Sequence, residues 1–321
     1  MPVDGSRIAY GNRIWSAANA VTNSYTVNSL NQYTTILRDS PPPREILHDA
    51  DGNMTQCGDW SFTYDADNRL TSVSSNGIIL IINQYDHKGR RIRKTTPTSE
   101  TTFLYDGWNL IYEREIAGAV TNETYYYWGK DLSGTLQGAG GVGGFLYLKR
   151  NGTIYILHRD ANGNIVRYTD AAGNVVVSYT YGAFGNTLSA IGALADVFRF
   201  RFSTKYYDPE TGLYYYGYRF YSPSLMRWLN RDPIEEAGGN NLYAFCANNP
   251  MIRYDSYGQS WLECFGDCVE EWRLDWGQIF TALNAASSLN MPVAKTAAER
   301  RWIDNAPLPE VNARSPCVYP L

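Results

Sequence analysis

Two aspartates, Asp232 and Asp255, lie beside turn-forming residues and are candidates for acid–base chemistry. Asp232 precedes Pro233, and Asp255 opens the sequence Asp-Ser-Tyr-Gly, so each carboxylate could simply cap a turn. Two carboxylates that share one site cannot both ionise easily, and the pKa of one rises. One would then activate water for attack on a peptide carbonyl while the other protonates the leaving nitrogen. Composition does not distinguish this pair among the 32 acidic residues, so both interpretations stay open.

Other kinds of catalytic or metal site have few candidate residues. The chain has three His, and none is near a Cys pair or a nucleophile elbow in sequence, which disfavours most zinc enzymes and most Ser-His or Cys-His catalysts. A fold could still bring a His there from a distance. Cys264 and Cys268 are four apart, but Cys317 is the one further thiolate nearby, so we favour a structural or incidental pair. We predict no cofactor and no metal.

Composition and charge restrict partners and location. Charged residues make up 19% of the chain, below the usual level of about 25%, which indicates a folded protein. The net charge of -4 disfavours nucleic-acid binding by the β body, because phosphate neutralisation needs clustered Lys and Arg. No secretory signal or membrane-spanning stretch is visible. We expect a chain that is cytoplasmic before a non-classical exporter carries it outside or to the cell surface.

Turn dipeptides at short intervals predict an antiparallel β body. They separate Tyr-, Thr- and Val-rich runs with strand-like alternation, and Asn-Gly and Asp-Gly supply the positive φ angles of tight hairpins. The turn dipeptides are Asp51-Gly52, Asn76-Gly77, Lys88-Gly89, Asp106-Gly107, Asn151-Gly152, Asn162-Gly163 and Ala172-Gly173. We therefore expect residues from about 60 to 205 to be mostly antiparallel β-structure.

A fixed period lies on top of this pattern. Tyr64-Asp65, Tyr85-Asp86 and Tyr105-Asp106 are 21 and 20 residues apart, and Tyr125 follows after another 20. Such a period is typical of repeat architectures. Because one hairpin cannot bury its own aromatic face, neighbouring hairpins must pair edge to edge into a continuing sheet. For nearly all of these Tyr and Asp residues we favour a structural role in packing and turn capping.

More specific motifs follow the repeats. Residues 206–258 contain the sequences YYDPETGLY, YRFYSP, RDPI, NLYAF and DSYG. With the Tyr-Asp period, they resemble the RHS/YD-repeat proteins, and this segment resembles the RHS repeat-associated core. The resemblance implies a β-strip that spirals into a shell, here an incomplete one, plugged by the core. It also implies a variable C-terminal segment that is released inside the shell by self-cleavage.

The resemblance also selects the candidate catalytic residues. RHS and toxin-complex C proteins have a core Arg, an Asp-Pro about thirteen residues later, and a second Asp that opens an Asp-Pro-x-Gly turn. Arg219, Asp232 and Asp255 fall on these positions, and the Arg would orient a carboxylate or stabilise the oxyanion. The cut is expected near Gln259–Ser260. This chain departs from the pattern at Ser256, where Pro would fix φ, and at Gln259, where an apolar anchor is missing.

We divide the chain into a repeat region, residues 1–205, the RHS-associated core, residues 206–259, and a variable C-terminal segment, residues 260–321. Apolar residues at steps of three and four from Val269 to Leu283 predict a helix in the tail, and residues 294–306 predict a second. The tail has 5 basic and 8 acidic residues, which disfavours a nuclease that acts on duplex DNA. A truncated toxin, a membrane-active helix and a vestigial end all fit it.

Three functional hypotheses follow. The first is an RHS-type shell protein of polymorphic-toxin or cell-surface competition systems, at most a single-turnover aspartic autoprotease with no external substrate. Its partners would be its own C-terminal segment and an immunity protein or another RHS or toxin-complex chain. The second is a non-catalytic surface protein that binds other proteins, or carbohydrate through exposed Tyr and Trp. The third is a fragment of a longer RHS protein, because a few repeats are too short to close a large shell.

The turn and period arguments make one spectroscopic prediction. The circular dichroism spectrum of the fragment 1–259 should be dominated by β-structure, because we expect helix to concentrate after Ser260, outside this fragment. A spectrum of that fragment dominated by helix would contradict the assignment.

Overall fold

The computed structural model describes residues 3–4, 12–18, 21–38, 42–259 and 261–263. These residues belong to one compact unit, Met1–Val269, whereas the second unit, Glu270–Leu321, lies wholly outside them. The two helices predicted for the tail and the Cys264/Cys268 pair therefore also fall outside the described residues. In the part of the chain that is described, no helix has the length and apolar character needed to cross a membrane.

An antiparallel sheet of 18 strands accounts for the chain as far as residue 191, and each strand pairs with the next one in sequence. The described strands include no pairing of the last strand with the first, so the sheet is not closed. The strands are β1 Val3–Asp4, β2 Trp15–Ala18, β3 Val21–Val27, β4 Tyr33–Arg38, β5 Arg44–His48, β6 Met54–Cys57, β7 Trp60–Tyr64, β8 Leu70–Ser75, β9 Ile78–Tyr85, β10 Arg91–Thr95, β11 Glu100–Asp106, β12 Asn109–Ala117, β13 Val120–Trp128, β14 Phe145–Arg150, β15 Thr153–Arg159, β16 Ile165–Asp170, β17 Val175–Tyr181 and β18 Thr187–Ile191.

Hairpin turns occur at all seven Gly-containing dipeptides that the sequence marked. At Asn76-Gly77 the two φ angles are +51° and +76°, and at Asn151-Gly152 they are +48° and +87°. Two successive positive φ angles match the right-handed twist of the flanking strands in a two-residue hairpin. The predicted all-β antiparallel fold is therefore confirmed.

The Asp of the repeated turn binds the turn backbone. Between β7 and β8, Oδ1 of Asp65 accepts the backbone N–H groups of Asp67 and Arg69 at 3.0 Å, and Oδ2 accepts Nε of Arg69 at 2.8 Å. The same arrangement recurs in three further turns, formed by Asp86 with Arg90, Asp160 with Asn164, and Asp170 with Asn174. The structural role predicted for these aspartates is thus what the turns show.

Two Tyr residues of the period, Tyr85 and Tyr105, tie one repeat to the preceding one. The hydroxyl of Tyr85 donates to the backbone carbonyl of Leu70 at 2.6 Å, and the guanidinium of Arg69 lies 5.4 Å from the centre of the Tyr85 ring. Tyr105 makes the same pair of contacts one repeat later. Each of these two rings therefore serves as a partly buried apolar surface, a hydrogen-bond donor and a cation platform.

A second, smaller sheet packs against one face of the first. Residues from 194 to 229 supply most of the buried side chains that meet the core residues of the large sheet. The four strands of the smaller sheet are β19 Tyr206–Asp208, β20 Leu213–Tyr215, β21 Phe220–Ser222 and β22 Arg227–Trp228, and a separate pair follows, β23 Arg253–Asp255 and β24 Trp261–Glu263. Single 3-10 turns lie at Phe202–Thr204, Glu235–Gly238 and Cys246–Asn248.

A buried ion network joins the two sheets. Asp208, at the end of β19, accepts Nη1 of Arg91 at 2.6 Å and Nζ of Lys94 at 3.0 Å, and Lys94 also contacts Glu210 at 3.1 Å. Asp208, Arg91 and Lys94 are at most 2% exposed. Burial alone would raise the pKa of Asp208, but the two cations of β10 outweigh it and hold the pKa below its usual value.

Replacing Asp208 should therefore be costly. Asp208→Asn keeps the shape but leaves two buried cations uncompensated, so the free energy of unfolding should fall by about 3–5 kcal/mol. Because the folded pKa is depressed, the stabilisation is present above about pH 4 and is lost as the pH falls through the folded pKa. Urea denaturation as a function of pH measures both effects. The control Asp67→Asn, which breaks a surface ion pair of 3.0 Å, should cost below about 1 kcal/mol; equal losses would contradict the interpretation.

Candidate functional site

Arg219 lies between β20 and β21 and ties three distant segments together. Its Nη2 donates to Oδ2 of Asp232 at 2.7 Å, its Nη1 donates to the carbonyl of Leu242 at 3.0 Å, and its Nε donates to the carbonyl of Gly258. The guanidinium is buried, and its central carbon lies 4.2 Å from the centre of the Trp228 ring. This arrangement suits Arg, since its planar group supplies several donors in fixed directions and stacks on an aromatic ring.

Asp232 follows β22 and is mostly buried. Its Oδ1 accepts the backbone N–H of Ile234 at 3.1 Å, while Oδ2 faces Arg219. Burial raises the pKa of Asp232 to about 6, although Arg219 opposes the shift; the negative charge of Asp255 adds to it. This carboxyl group therefore titrates within the range in which an enzyme group can exchange protons near neutral pH.

Asp255 ends β23 and closes the turn that follows. Its Oδ1 accepts the backbone N–H groups of Tyr257 at 3.1 Å, Gly258 at 2.6 Å and Gln259 at 3.1 Å. Its Oδ2 lies 3.7 Å from Nη2 of Arg219. Burial raises the pKa of Asp255 above its usual value, against the opposing effect of Arg219 and of the turn amides. Both carboxylates thus bind a turn, as the structural alternative held, and both also lie near Arg219.

The structure brings the three residues selected from the sequence together. Oδ2 of Asp232 and Oδ2 of Asp255 both lie within 3.7 Å of Nη2 of Arg219. A single buried cation therefore sits between two buried carboxylates, each with a raised pKa. Their catalytic role stays a prediction.

The segment expected to be cut passes this pair. A Cβ atom placed on Gly238 would lie 2.6 Å from Oδ2 of Asp232 and 3.2 Å from the carbonyl oxygen of Gln259, so both oxygens are close to one point in space. Gly258, with φ of +81°, leaves little room for a side chain, because a Cβ there would lie 3.2 Å from the backbone nitrogen of Arg219. The backbone of residues 258 and 259 thus lies directly against the site.

Asp232 also lines a cavity of about 520 Å³. That volume is enough for many water molecules at about 30 Å³ each. Its other walls come from three hairpin turns of the large sheet, from the residue before Arg219 and from the segment around Asp232: Asp51, Asn53, Asp67, Asn68, Arg69, His87, Gly89, Tyr218, Asn230, Arg231, Pro233 and Glu235. Water can therefore reach one carboxylate of the pair. No group of three or more His, Cys, Asp or Glu side chains arranged to hold a metal ion occurs within the described ranges.

Sequence reasoning missed one cation at this site. Lys205 is buried, and its Nζ donates to the carbonyl of Ser256 at 2.5 Å and to the carbonyl of Gly140 at 2.8 Å. Burial lowers the pKa of Lys205 to about 8, although Asp255 and Asp131 oppose the shift. The one signal in the sequence is that Lys205 directly precedes the motif YYDPETGLY.

A long open antiparallel sheet with a buried Arg and Asp site in the strands packed against it defines a β-shell protein of the YD-repeat class. The family model described as Teneurin YD-shell matches residues 11–251. The chain belongs to the YD-shell family, and the resemblance inferred from its Tyr-Asp repeats is confirmed.

The curated relatives include toxins. A tRNA3(Ser)-specific nuclease, WapA, from Bacillus spizizenii is 33% identical over 273 residues, which cover 79% of this chain and 11% of that protein. A double-stranded DNA deaminase toxin A from Burkholderia cenocepacia is 32% identical over 226 residues, which cover 64% of this chain and 16% of that toxin. The chain therefore spans between about a tenth and a sixth of the length of these two relatives.

Solved structures show the same fold. One match is with a chain of the crystal structure of TcdB2-TccC3-Cdc42. It covers 79% of the present chain and 15% of the matched chain, with a TM-score of 0.57 and 19% sequence identity. At this identity the likeness concerns the β-shell architecture alone.

The pKa of Asp232 provides a test of the pair. NMR titration of ¹³C-labelled Asp carboxyl groups should give a pKa of about 6 for the signal that is absent in Asp232→Asn. In Asp255→Asn the pKa should fall but stay above about 3.9, since burial is the main cause of the shift. Because the folded pKa is raised, stability from this group is present below about pH 4 and is lost as the pH rises through about 6. An unchanged pKa in Asp255→Asn would show that the carboxylates are not coupled.

Proposed function

We propose that this chain is the shell part of an RHS-type polymorphic-toxin protein that encloses or presents its own variable C-terminal segment and releases it by one self-cleavage at Gln259–Ser260. One observation carries the proposal: Arg219, Asp232 and Asp255 converge where the carbonyl of Gln259 lies. The toxins among the relatives support the general kind of protein.

The chemistry proposed is hydrolysis of a single peptide bond. A water molecule adds to the carbonyl carbon of Gln259 and gives a proton to Asp255, whose negative form is stabilised by three amide donors and Arg219. Asp232, with its pKa of about 6, carries the proton that polarises the carbonyl oxygen and then passes to the leaving nitrogen of Ser260. The bond between Gln259 and Ser260 breaks, and a new carboxyl group and a new amino group form.

Arg219 has two roles in this scheme. By donating to the carbonyl of Gly258 it fixes the backbone one residue before the bond that breaks. Its positive charge also lies between the two carboxylates and stabilises the negative charge that passes from one to the other during the reaction.

We further propose that another RHS or toxin-complex polypeptide completes the sheet. Strand β18 pairs with β17 alone among the described strands, so its other edge leaves backbone donors and acceptors open for a further strand. The small share of the relatives' length that this chain covers fits the same picture. The complete assembly would act outside the cell, or at its surface, after export by a non-classical route, with an immunity protein as the partner of the tail.

Mass spectrometry of the freshly expressed chain tests self-cleavage. The wild-type protein should appear as two pieces of about 259 and 62 residues instead of one 36.2 kDa chain. Asp232→Asn and Asp255→Asn each keep the shape and remove a proton site, so both should remain intact and folded. Asp51→Asn, on the rim of the same cavity, should be processed normally.

Two results would contradict the proposal. An intact wild-type chain would mean that the three residues are a structural remnant, and equal cutting in all variants would assign the cut to an outside protease. If Asp232 is the acid, the rate of self-cleavage in pulse-labelled protein should fall as the pH rises through about 6.

A further inference from the structure

The turn that precedes the expected cut is held by donors from three other residues, and two of them, Lys205 and Tyr218, take no part in the proposed chemistry. Each backbone carbonyl of residues 256–258 has a donor. Lys205 Nζ donates to the carbonyl of Ser256, the backbone N–H of Tyr218 donates to the carbonyl of Tyr257 at 3.0 Å, and Arg219 donates to the carbonyl of Gly258. A turn whose polar groups are all bound in the interior is restricted in its motion.

Lys205 binds this turn through a backbone carbonyl and not through a carboxylate. No ion pair of Lys205 occurs among the described residues, and its Nζ binds two backbone carbonyls instead. The ammonium group also lies 5.2 Å from the centre of the Tyr216 ring and 5.8 Å from that of Tyr257. Keeping a lysine charged in such a place is unfavourable unless its hydrogen bonds are retained, so the position of the Ser256 carbonyl is strongly specified.

The loop between β13 and β14, residues 129–144, contacts both Lys205 and the turn. Asp131 organises the loop, because its buried carboxylate accepts the backbone N–H groups of Ala139 at 2.7 Å and Gly141 at 3.0 Å. The carbonyl of Gln137 then accepts the hydroxyl of Tyr257. The loop is thus a formed structure whose far end touches the turn.

Gly140 makes the closest approach. It has a φ of +63°, and a Cβ atom there would lie 1.9 Å from the carbonyl oxygen of Ser256. In the same loop, Gly134 has a φ of +73°, but nothing lies within 4 Å of its Cβ position. The two glycines have similar backbone angles. Only at Gly140 does the Ser256 carbonyl also occupy the space that a side chain would need.

We propose that Lys205 and the loop 129–144 form a clamp that positions the Asp255–Gly258 turn for cleavage, so that Lys205 is a positioning residue of this site. The clamp holds the turn firmly without a proline at position 256. This inference rests on the proposed self-cleavage for its kinetic consequence, but the clamp itself can be measured in an uncleaved chain.

Removal of the lysine donor is the first test. In the full chain, Lys205→Met keeps the apolar stem and removes both hydrogen bonds, so self-cleavage should slow by about ten- to a hundredfold. Adding Ser256→Pro to Lys205→Met should recover part of the rate, since proline fixes φ in the turn. General loss of folding would not be rescued in this way.

The glycine pair is the matched control. Gly140→Ala and Gly134→Ala both place a side chain at a positive φ, so both bring the same backbone strain. Gly140→Ala alone pushes against the Ser256 carbonyl, and it should slow self-cleavage by at least about tenfold relative to Gly134→Ala.

Hydrogen exchange separates this inference from the proposed function. In the Asp232→Asn chain, which stays whole, adding Lys205→Met should increase exchange of the amides of Tyr257, Gly258 and Gln259. If the wild-type chain is never cut but Lys205→Met still increases exchange in the Asp232→Asn chain, the clamp is supported and self-cleavage is refuted. Unchanged exchange, an unchanged cleavage rate in Lys205→Met, or equal effects of the two glycine variants would each overturn the clamp.

Discussion

The burial of Arg219 is the constraint on which the site depends. A guanidinium removed from water requires compensation at every donor, and the chain supplies it from three places: the Asp232 carboxylate, the Leu242 carbonyl and the Gly258 carbonyl. Each partner fixes one segment of residues 219–258. The same charge lets two buried acidic groups lie within 3.7 Å of one guanidinium nitrogen. Arg219 therefore fixes the chain geometry in this region and also opposes the rise in the pKa of both carboxyl groups that burial causes.

Aromatic rings make buried cations tolerable throughout the described part of the chain. Arg91 lies within 5.7 Å of the ring centres of Phe103, Tyr206, Tyr215 and Phe220 while it pairs with Asp208. The negative face of an aromatic ring attracts a cation, and the Tyr hydroxyl adds a donor for nearby carbonyls. A chain with 26 Tyr can thus join its large sheet to the smaller one through charged contacts as well as apolar ones.

Local chemistry explains which features could be predicted. The Tyr-Asp period and the Gly dipeptides act over a few residues, so the turns at Asp65 and Asn76 follow from sequence alone. Arg219, Asp232 and Asp255 were selected through family resemblance, because nothing local distinguishes them from other charged residues. Lys205 escaped prediction since its contacts reach 51 residues forward to Ser256 and 65 residues back to Gly140. Only the folded sheet, which sets where the β13–β14 loop ends, makes such contacts visible.

Under the proposed function, the dependence of the turn on distant parts of the chain would give the cleavage a second role besides release. The turn 255–258 is bound by the β13–β14 loop, by the residue before β19 and by the residue before β21. Under the proposed function, the bond could break only after these segments have assembled, so cleavage would serve as a folding checkpoint. Under the same proposal, a misfolded shell would keep its C-terminal segment attached, and a producing cell would be spared the premature release of that segment.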